Sequence, residues 1–132
     1  MQISRAADIG LRTLVVLAGQ EDKHTTVDEL ATALGVPARY IGKIIQRLAS
    51  AGWVATTRGR GGGLRLSESG RDATAADVIQ TLEKGRRSVD CGDPPCPLLE
   101  GGCRLRGLLI TAEAQFMATM AGVRVADLVS AS

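Results

Sequence analysis

No stretch of this sequence approaches the roughly 20 consecutive apolar residues that a membrane-spanning helix needs. The first 19 residues alternate charged and apolar positions, which is unlike a secretory signal peptide. Hydrophobic residues make up 45% of the chain and charged residues 23%, which excludes a wholly disordered or collagen-like chain. We therefore expect one soluble domain of 132 residues in the cytoplasm, with no membrane partner.

Cysteine and histidine are also scarce. The three cysteines all lie between Cys91 and Cys103, and the single histidine, His24, lies in a polar segment. An odd, clustered set of thiols in a reducing compartment favours a metal site or a redox switch over a disulfide framework. The sequence also lacks a Ser/His/Asp set, a carboxylate pair or a phosphate-binding loop in the right context, so we expect no enzyme activity.

The first half of the chain has the periodicity of three helices. Apolar residues recur every three to four positions over 4–18, which predicts an amphipathic helix. Thr26-Val27-Asp28-Glu29 fits a capping box and predicts the start of a second helix, which Gly35 ends. Pro37 is suited to the first turn of a third helix that runs to about Gly52.

A stretch of one charge sign covers the third predicted helix and the segment after it. Residues 36–66 contain six basic residues and no acidic one, although the whole chain carries a net charge of only +2. Three of the basic residues, Arg39, Lys43 and Arg47, recur every four positions on the outer face of the helix. Two helices joined by a tight turn, the second with a basic outer face, predict a helix-turn-helix that binds a polyanion.

The segment after this helix distinguishes a DNA-binding unit from an ordinary helical hairpin with a solvated basic face. Residues 53–57 and 64–66 have the pattern of two short strands, and 58–63 form a turn that contains Arg58 and Arg60 among glycines. Glycines allow close approach to phosphate, and a narrow minor groove attracts arginine. The hairpin therefore favours a winged helix-turn-helix.

The second half of the chain contains a helix, a loop and a long helix. Thr74 is expected to cap a helix over about 75–83, residues 84–103 form a loop rich in Gly, Pro and Cys, and 104–121 form the long helix. One helix cannot bury two apolar faces on so small a domain, so we expect a homodimer rather than a fully buried helix in a monomer. The first apolar stripe consists of Leu105, Leu108, Leu109, Ala112 and Phe116, and the second of Ile110, Ala114, Met117 and Ala121.

Cys91, Cys96 and Cys103 are separated by four and six residues, and the intervening prolines and glycines favour a curled loop. Thiols in such a loop can converge on one soft metal centre. Three thiolates leave a tetrahedral zinc one ligand short, or an iron–sulfur cluster with one open iron. The alternative is a set of free thiols.

The order of these motifs resembles the Rrf2 family of bacterial repressors, and within it the nitric-oxide-sensing NsrR type. The resemblance covers essentially the whole chain. It rests on the Gly-Arg wing, on Val89-Asp90-Cys91 followed by Cys96-Pro97-Leu98, and on Cys103-Arg104-Leu105 at the start of the long helix. Asp8 matches the aspartate that serves as the fourth cluster ligand in that type, and Arg106 stands where other members have a histidine. The second cysteine gap is one residue longer than usual.

The resemblance implies a mainly α fold with a small β-hairpin, divided into a winged helix-turn-helix domain (1–83), a cluster-binding loop (84–103) and a dimerisation helix with its tail (104–132). It implies a homodimeric repressor of a pseudo-palindromic double-stranded DNA operator, controlled by an iron–sulfur cluster that senses nitric oxide. A 4Fe–4S cluster is favoured and 2Fe–2S stays open. The alternatives are a regulator of the same fold that senses redox state or iron status, and a non-regulatory iron–sulfur carrier. The expected cluster ligands are Cys91, Cys96, Cys103 and Asp8 of the partner subunit, and the expected DNA contacts are Thr25, Thr26, Arg39, Tyr40, Lys43, Arg47, Arg58 and Arg60.

Overall fold

The protein is described by a computed structural model that covers residues 2–84, 90–92 and 94–129. It is mainly helical, with one two-stranded antiparallel sheet. No helix in the described ranges is long and apolar enough to cross a membrane. The elements in chain order are α1 (Arg5–Ala18), α2 (Val27–Leu34), α3 (Ala38–Ser50), β1 (Val54–Thr57), β2 (Gly63–Leu66), α4 (Glu68–Asp72), α5 (Ala75–Glu83), α6 (Arg104–Ala121) and a 3-10 turn (Val125–Leu128).

The hydrophobic core lies around α1, which packs against α2, α3, α5 and the 3-10 turn. Leu14 of α1, Leu30 of α2, Leu48 of α3 and Val78 of α5 are all fully buried. Burial of these apolar side chains is the main force that holds the helices together. The core therefore joins the elements before the wing to α5, which precedes the cysteine loop.

Side-chain caps begin the helices where the sequence predicts them, with one difference. Thr74 and Asp77 form the reciprocal hydrogen bonds of a capping box at α5. Thr26 accepts a hydrogen bond from the Glu29 amide at 3.1 Å, but the Glu29 carboxylate accepts from the Thr26 hydroxyl rather than making a full box. Glu29 also accepts from Lys23, and that bond is the main cause that lowers the pKa of Glu29. The predicted capping box at α2 is thus only half formed.

Helix α4 has no counterpart among the predicted elements. Its five residues have no apolar period, and it begins where Ser67, the residue just before it, caps its first turn. The Ser67 hydroxyl caps the helix by accepting from the Gly70 amide at 3.0 Å and donates to the Gly52 carbonyl at 2.6 Å. This short helix closes the base of the hairpin and leads the chain into α5.

Helix α6 runs over the predicted residues, but its faces differ from the prediction. None of its 18 residues is buried. Phe116, Met117 and Met120 pack against the core, so the contact strip combines one residue of the first predicted stripe with one of the second. The domain covers the strip between the two stripes and leaves an apolar flank exposed on either side, where Leu105, Leu108 and Ile110 lie.

The division of the chain into 1–83, 84–103 and 104–132 stays a prediction. Residues 85–89 and 93, which belong to the predicted loop, lie outside the described residues, as does Val89 of the motif before Cys91. The described part of that region, 90–92 and 94–103, contains the three cysteines and ends at the start of α6.

Candidate functional site

The helix-turn-helix is formed by α2, a three-residue turn and α3. Gly35 adopts the left-handed conformation, with φ of 65°, which ends α2 without the steric cost that a Cβ atom would bring. Val36 is buried and its amide donates to the Ala31 carbonyl at 3.1 Å, so the turn is held in one geometry. Four apolar residues anchor the inner face of α3 in the core: Ile41, Ile44, Ile45 and Leu48.

The outer face of α3 presents two free cations. Arg39 and Lys43 are exposed, and no ion pair involves either of them within the described ranges. Tyr40 is half-buried, and the Arg5 guanidinium lies 5.3 Å from the centroid of its ring, a cation–π contact. This contact joins the start of α1 to the start of α3, and no sequence pattern pointed to Arg5.

The wing is a tight hairpin attached to the helix-turn-helix. Its strands pair from Val54↔Leu66 to Thr57↔Gly63, and its tip carries Arg58 and Arg60 in exposed positions. Thr25, just before α2, exchanges two backbone hydrogen bonds with Leu64 of β2, at 2.9 and 2.7 Å. This bridge fixes the wing relative to α2, so the exposed cations of α3 and of the wing tip have a defined relative placement.

The structure corrects the prediction that Thr25 binds a phosphate. Its side chain is 3% exposed and its hydroxyl is buried, because the residue is used to pair with β2. Thr26 is exposed at the N-terminus of α2, where helix amides and a hydroxyl are suited to an anion. A phosphate contact by Thr26 therefore stays a prediction, whereas the Thr25 side chain is inaccessible in this fold.

Arg47 is also placed differently from the two cations that precede it on α3. It is half-buried, and its Nη2 atom donates to the carbonyl oxygens of Thr81, at 3.3 Å, and of Leu82. Both acceptors belong to the last turn of α5, so the half-buried guanidinium is engaged by backbone carbonyls of the protein itself. We therefore do not count Arg47 among the free cations of the surface.

The cysteine loop is compact at its start. The Cys96 amide donates to the Cys91 carbonyl at 2.9 Å, and Gly92 and Pro95 form an isolated bridge between the two cysteines. Cys103 is the N-cap residue of α6. All three thiols are free and half-buried, so each is accessible to a metal without unfolding of the core.

These donors suit an iron–sulfur cluster in type and number, with one ligand missing. Thiolates are the usual ligands of such clusters, and three of them come from one loop. Within the described residues, however, no three Cys, His, Asp or Glu side chains come together as a ready metal-binding group. The loop thus has donors of the right type, and a cluster at this place would require its three thiols to come closer together.

Asp8, the predicted fourth ligand, lies in the first turn of α1. Its Oδ1 atom accepts from Arg12 Nε at 2.7 Å, and its side chain is 42% exposed. The hydrogen bond to Asp8 is the main cause that raises the pKa of Arg12. The carboxylate is therefore accessible and held by a partner on its own helix, and a metal at this position would compete with Arg12.

Comparison with known proteins assigns the family. The family profile described as Rrf2, iron-dependent transcriptional regulator, matches residues 3–131. The HTH-type transcriptional repressor NsrR of Streptomyces coelicolor is 40% identical over 134 aligned positions, which cover 99% of this chain and 90% of that protein. The protein aau3 of Rhizobium meliloti is 33% identical, over 99% of this chain and 86% of that protein.

Solved structures agree on the fold. The global cysteine regulator CymR of B. subtilis superposes with a TM-score of 0.78 at 28% identity, covering 97% of this chain and 95% of CymR. IscR of T. potens, at 19% identity, shares the fold with a TM-score of 0.77 over 97% of this chain and 85% of IscR. These matches confirm the predicted mainly helical winged-helix fold. The family profile and the 40% identity to the Streptomyces repressor show that the chain is an NsrR-type member of the Rrf2 family of transcriptional regulators.

Proposed function

We propose that this regulator is a homodimeric repressor whose operator affinity is set by an iron–sulfur cluster and lowered by nitric oxide. The observation that carries the proposal is the combination, in one small domain, of a free cationic helix-turn-helix surface with a loop of three free, half-buried thiols. A non-regulatory iron–sulfur carrier would need the loop but would have no use for the cationic surface.

The DNA contacts follow from the exposed cations. Arg39, Lys43 and the half-buried Tyr40 on α3 are suited to the major groove, as residues of the second helix of a helix-turn-helix are. Arg58 and Arg60 at the wing tip are suited to the adjacent minor groove, where a narrow groove concentrates negative potential. Thr26 and the first amides of α2 would bind a backbone phosphate and so fix the register.

The exposed flanks of α6 support a dimer built on this helix. Leu105 is 57% exposed and Leu108 is 65% exposed, side by side on one flank, and Ile110 is 44% exposed on the other. Large apolar side chains grouped on one helix are typical of a protein–protein interface. A twofold dimer would place two winged domains on a pseudo-palindromic operator, with half-sites spaced by whole turns of DNA.

Cys91, Cys96 and Cys103 would hold the cluster, and Asp8 of the partner subunit would complete it. When bound, an iron–sulfur cluster supplies an iron site at which nitric oxide can react. An oxygen ligand is exchanged more easily than a thiolate, so the carboxylate of Asp8 is the natural point of access. Arg12 would compete with the cluster for the Asp8 carboxylate, because the two side chains already pair within α1.

A regulator that senses redox state through its thiols is the second candidate. It is favoured by the three free, half-buried thiols, which an oxidant can reach. Such a protein would change its DNA affinity when the cluster-free form is treated with a mild thiol oxidant. The two candidates share the DNA surface and differ in the trigger and in whether an iron–sulfur cluster is needed.

The test uses anaerobically purified protein and a DNA duplex selected from a random pool by the cluster-loaded form. Iron and sulfide per chain, together with the absorption spectrum, report the cluster and its nuclearity. We expect nitric oxide to weaken duplex binding in step with the spectral change. A Cys96→Ala variant should lack both the cluster and the response. A nitric-oxide-insensitive protein that responds to thiol oxidation without iron would favour the redox candidate.

A further inference from the structure

The C-terminal end of α5 is the point at which the cysteine loop departs from the folded domain. Helix α5 ends at Glu83, and Cys91 follows eight positions later. The last four carbonyls of any α-helix lack partners within the helix, and a buried carbonyl without a partner is costly. The hydrogen-bond partners of these carbonyls therefore show what holds the last turn of α5, where the loop begins.

These carbonyls accept hydrogen bonds from one backbone amide and from one side chain. The Lys84 amide donates to the Gln80 carbonyl, and Arg47 donates to the Thr81 and Leu82 carbonyls, the first at 3.3 Å. The last turn of α5 contains no basic residue of its own. Arg47 thus supplies both the hydrogen bonds and the positive charge that the negative end of a helix favours.

The same turn of α5 is attached to α1. The Leu82 side chain is buried and lies so close to α1 that a Cβ atom on Gly10 would overlap its Cδ1 atom. The Ser4 amide, just before α1, donates to Glu83 Oε1 at 2.6 Å. The last turn of α5 is thus held by α1 on one side and by Arg47 on the other, so a displacement of this turn acts on both contacts.

Lys84 marks the boundary between this turn and the loop. It is the one residue other than glycine with a positive φ, 53°, in the described part of the chain. A left-handed conformation costs a residue with a Cβ atom about 1–2 kcal/mol, which the surrounding contacts must hold in place. A loop that changes shape can relax this residue and so shift the last turn of α5.

From these contacts we propose that Arg47 is a positioning residue that transmits the state of the cysteine loop to α3. The inference rests on the proposed function and deepens it. Arg47 lies on α3 one turn after Lys43, the free cation that we assign to DNA. If the last turn of α5 moves, the two carbonyls move with it, and the guanidinium that they hold tilts α3 on the operator.

The test separates positioning from DNA contact by two measurements on the same duplex. The variant is Arg47→Gln, which removes the charge and the forked donors, and the matched control is Lys43→Gln, one turn earlier on the same helix. Affinity is measured for the cluster-loaded and the cluster-free form of each protein, over a series of salt concentrations. The duplex is the one selected by cluster-loaded wild-type protein, and thermal unfolding checks that each variant is folded.

We expect the wild-type ratio of loaded to cluster-free affinity to lie in the range typical of allosteric coupling, about 5- to 150-fold. Arg47→Gln should bring that ratio close to one and leave the salt slope unchanged. Lys43→Gln should lower both affinities by the same factor and reduce the salt slope by about one, as the loss of one phosphate contact does. If Arg47→Gln does not fold, Arg47→Lys takes its place, and we expect its ratio to fall below that of the wild type.

Two results would overturn the inference alone: a wild-type-like ratio in the Arg47 variant, or a salt slope that falls as it does for Lys43→Gln. Equal affinities of the loaded and cluster-free wild-type protein would overturn the proposed cluster control, and this inference with it. If the affinity of the wild type depends on the cluster and that of Arg47→Gln depends on it equally, Arg47 does not transmit the state of the loop.

Discussion

Replacement of Gly70 by alanine tests how closely the wing is packed on α4. Gly70 is buried. A Cβ atom there would overlap the carbonyl oxygen of Trp53 and lie 3.1 Å from its carbonyl carbon and 2.7 Å from Leu66 Cδ1. The Trp53 carbonyl cannot simply withdraw, because it accepts a hydrogen bond from the Ser67 amide at 2.9 Å. The substitution must therefore displace backbone at the base of the hairpin.

The free energy of unfolding should fall by about 2 kcal/mol. An extra methyl group in a packed site costs about 1–3 kcal/mol, and the upper end applies because backbone atoms have to move. Alanine recovers about 1 kcal/mol of that through its better helix propensity. For 132 residues, an unfolding entropy of about 0.28 kcal/mol/K converts the net loss into a melting temperature about 7 °C lower.

Gly42→Ala is the matched control, because Gly42 also lies in a helix and has no atom within 4 Å of an added Cβ. It should gain about 1 kcal/mol and melt about 3–4 °C higher. Thermal unfolding followed by circular dichroism, at one protein concentration, compares both variants with the wild type. A Gly70→Ala protein that melts at or above the wild-type temperature would refute the close packing of the wing on α4.

Three further predictions concern the DNA surface, the dimer and the cluster. Arg60→Ala should weaken binding to the selected duplex and reduce its salt dependence while the free energy of unfolding changes by less than about 0.5 kcal/mol, since the side chain is exposed; unchanged affinity across the salt series would remove Arg60 from the interface. Leu108→Glu should halve the mass seen by light scattering because a charge enters an apolar contact; a Leu108→Glu dimer would place the interface elsewhere. Asp8→Ala should assemble the cluster on the three remaining thiolates but lose iron faster under anaerobic chelation, and a wild-type rate would leave Asp8 as no more than the partner of Arg12.

Most of the local structure could be predicted because it depends on neighbours within about four residues. The apolar period of α1, the Thr74 cap of α5 and the left-handed Gly35 are interactions of this kind, and each lies where the sequence places it. The short helix α4 could not be found this way. It has no apolar period and exists because serine hydroxyls around it reach Gly52, across the hairpin.

The candidate site was only partly predictable for the same reason. The exposed positions of Arg39, Lys43, Arg58 and Arg60 follow from the helical period and from the position of the turn between two strands. Thr25 resembles an accessible phosphate ligand in the sequence, but its burial depends on Leu64, a partner far along the chain. No local pattern could have predicted that pairing.

The sequence by itself determined the helices other than α4, the hairpin and the clustering of the three thiols, because hydrophobic period, turn residues and cysteine spacing act over short distances. Tertiary structure alone decided how neighbouring residues of one helix face are used. Lys43 and Arg47 are one turn apart and chemically alike, but Arg47 meets the carbonyl end of α5, 34 and 35 residues away, while Lys43 meets solvent. Packing likewise decided which strip of α6 the domain covers. Because the helix has two apolar stripes, the sequence is compatible with burial of the first stripe, of the second, or of the strip between them.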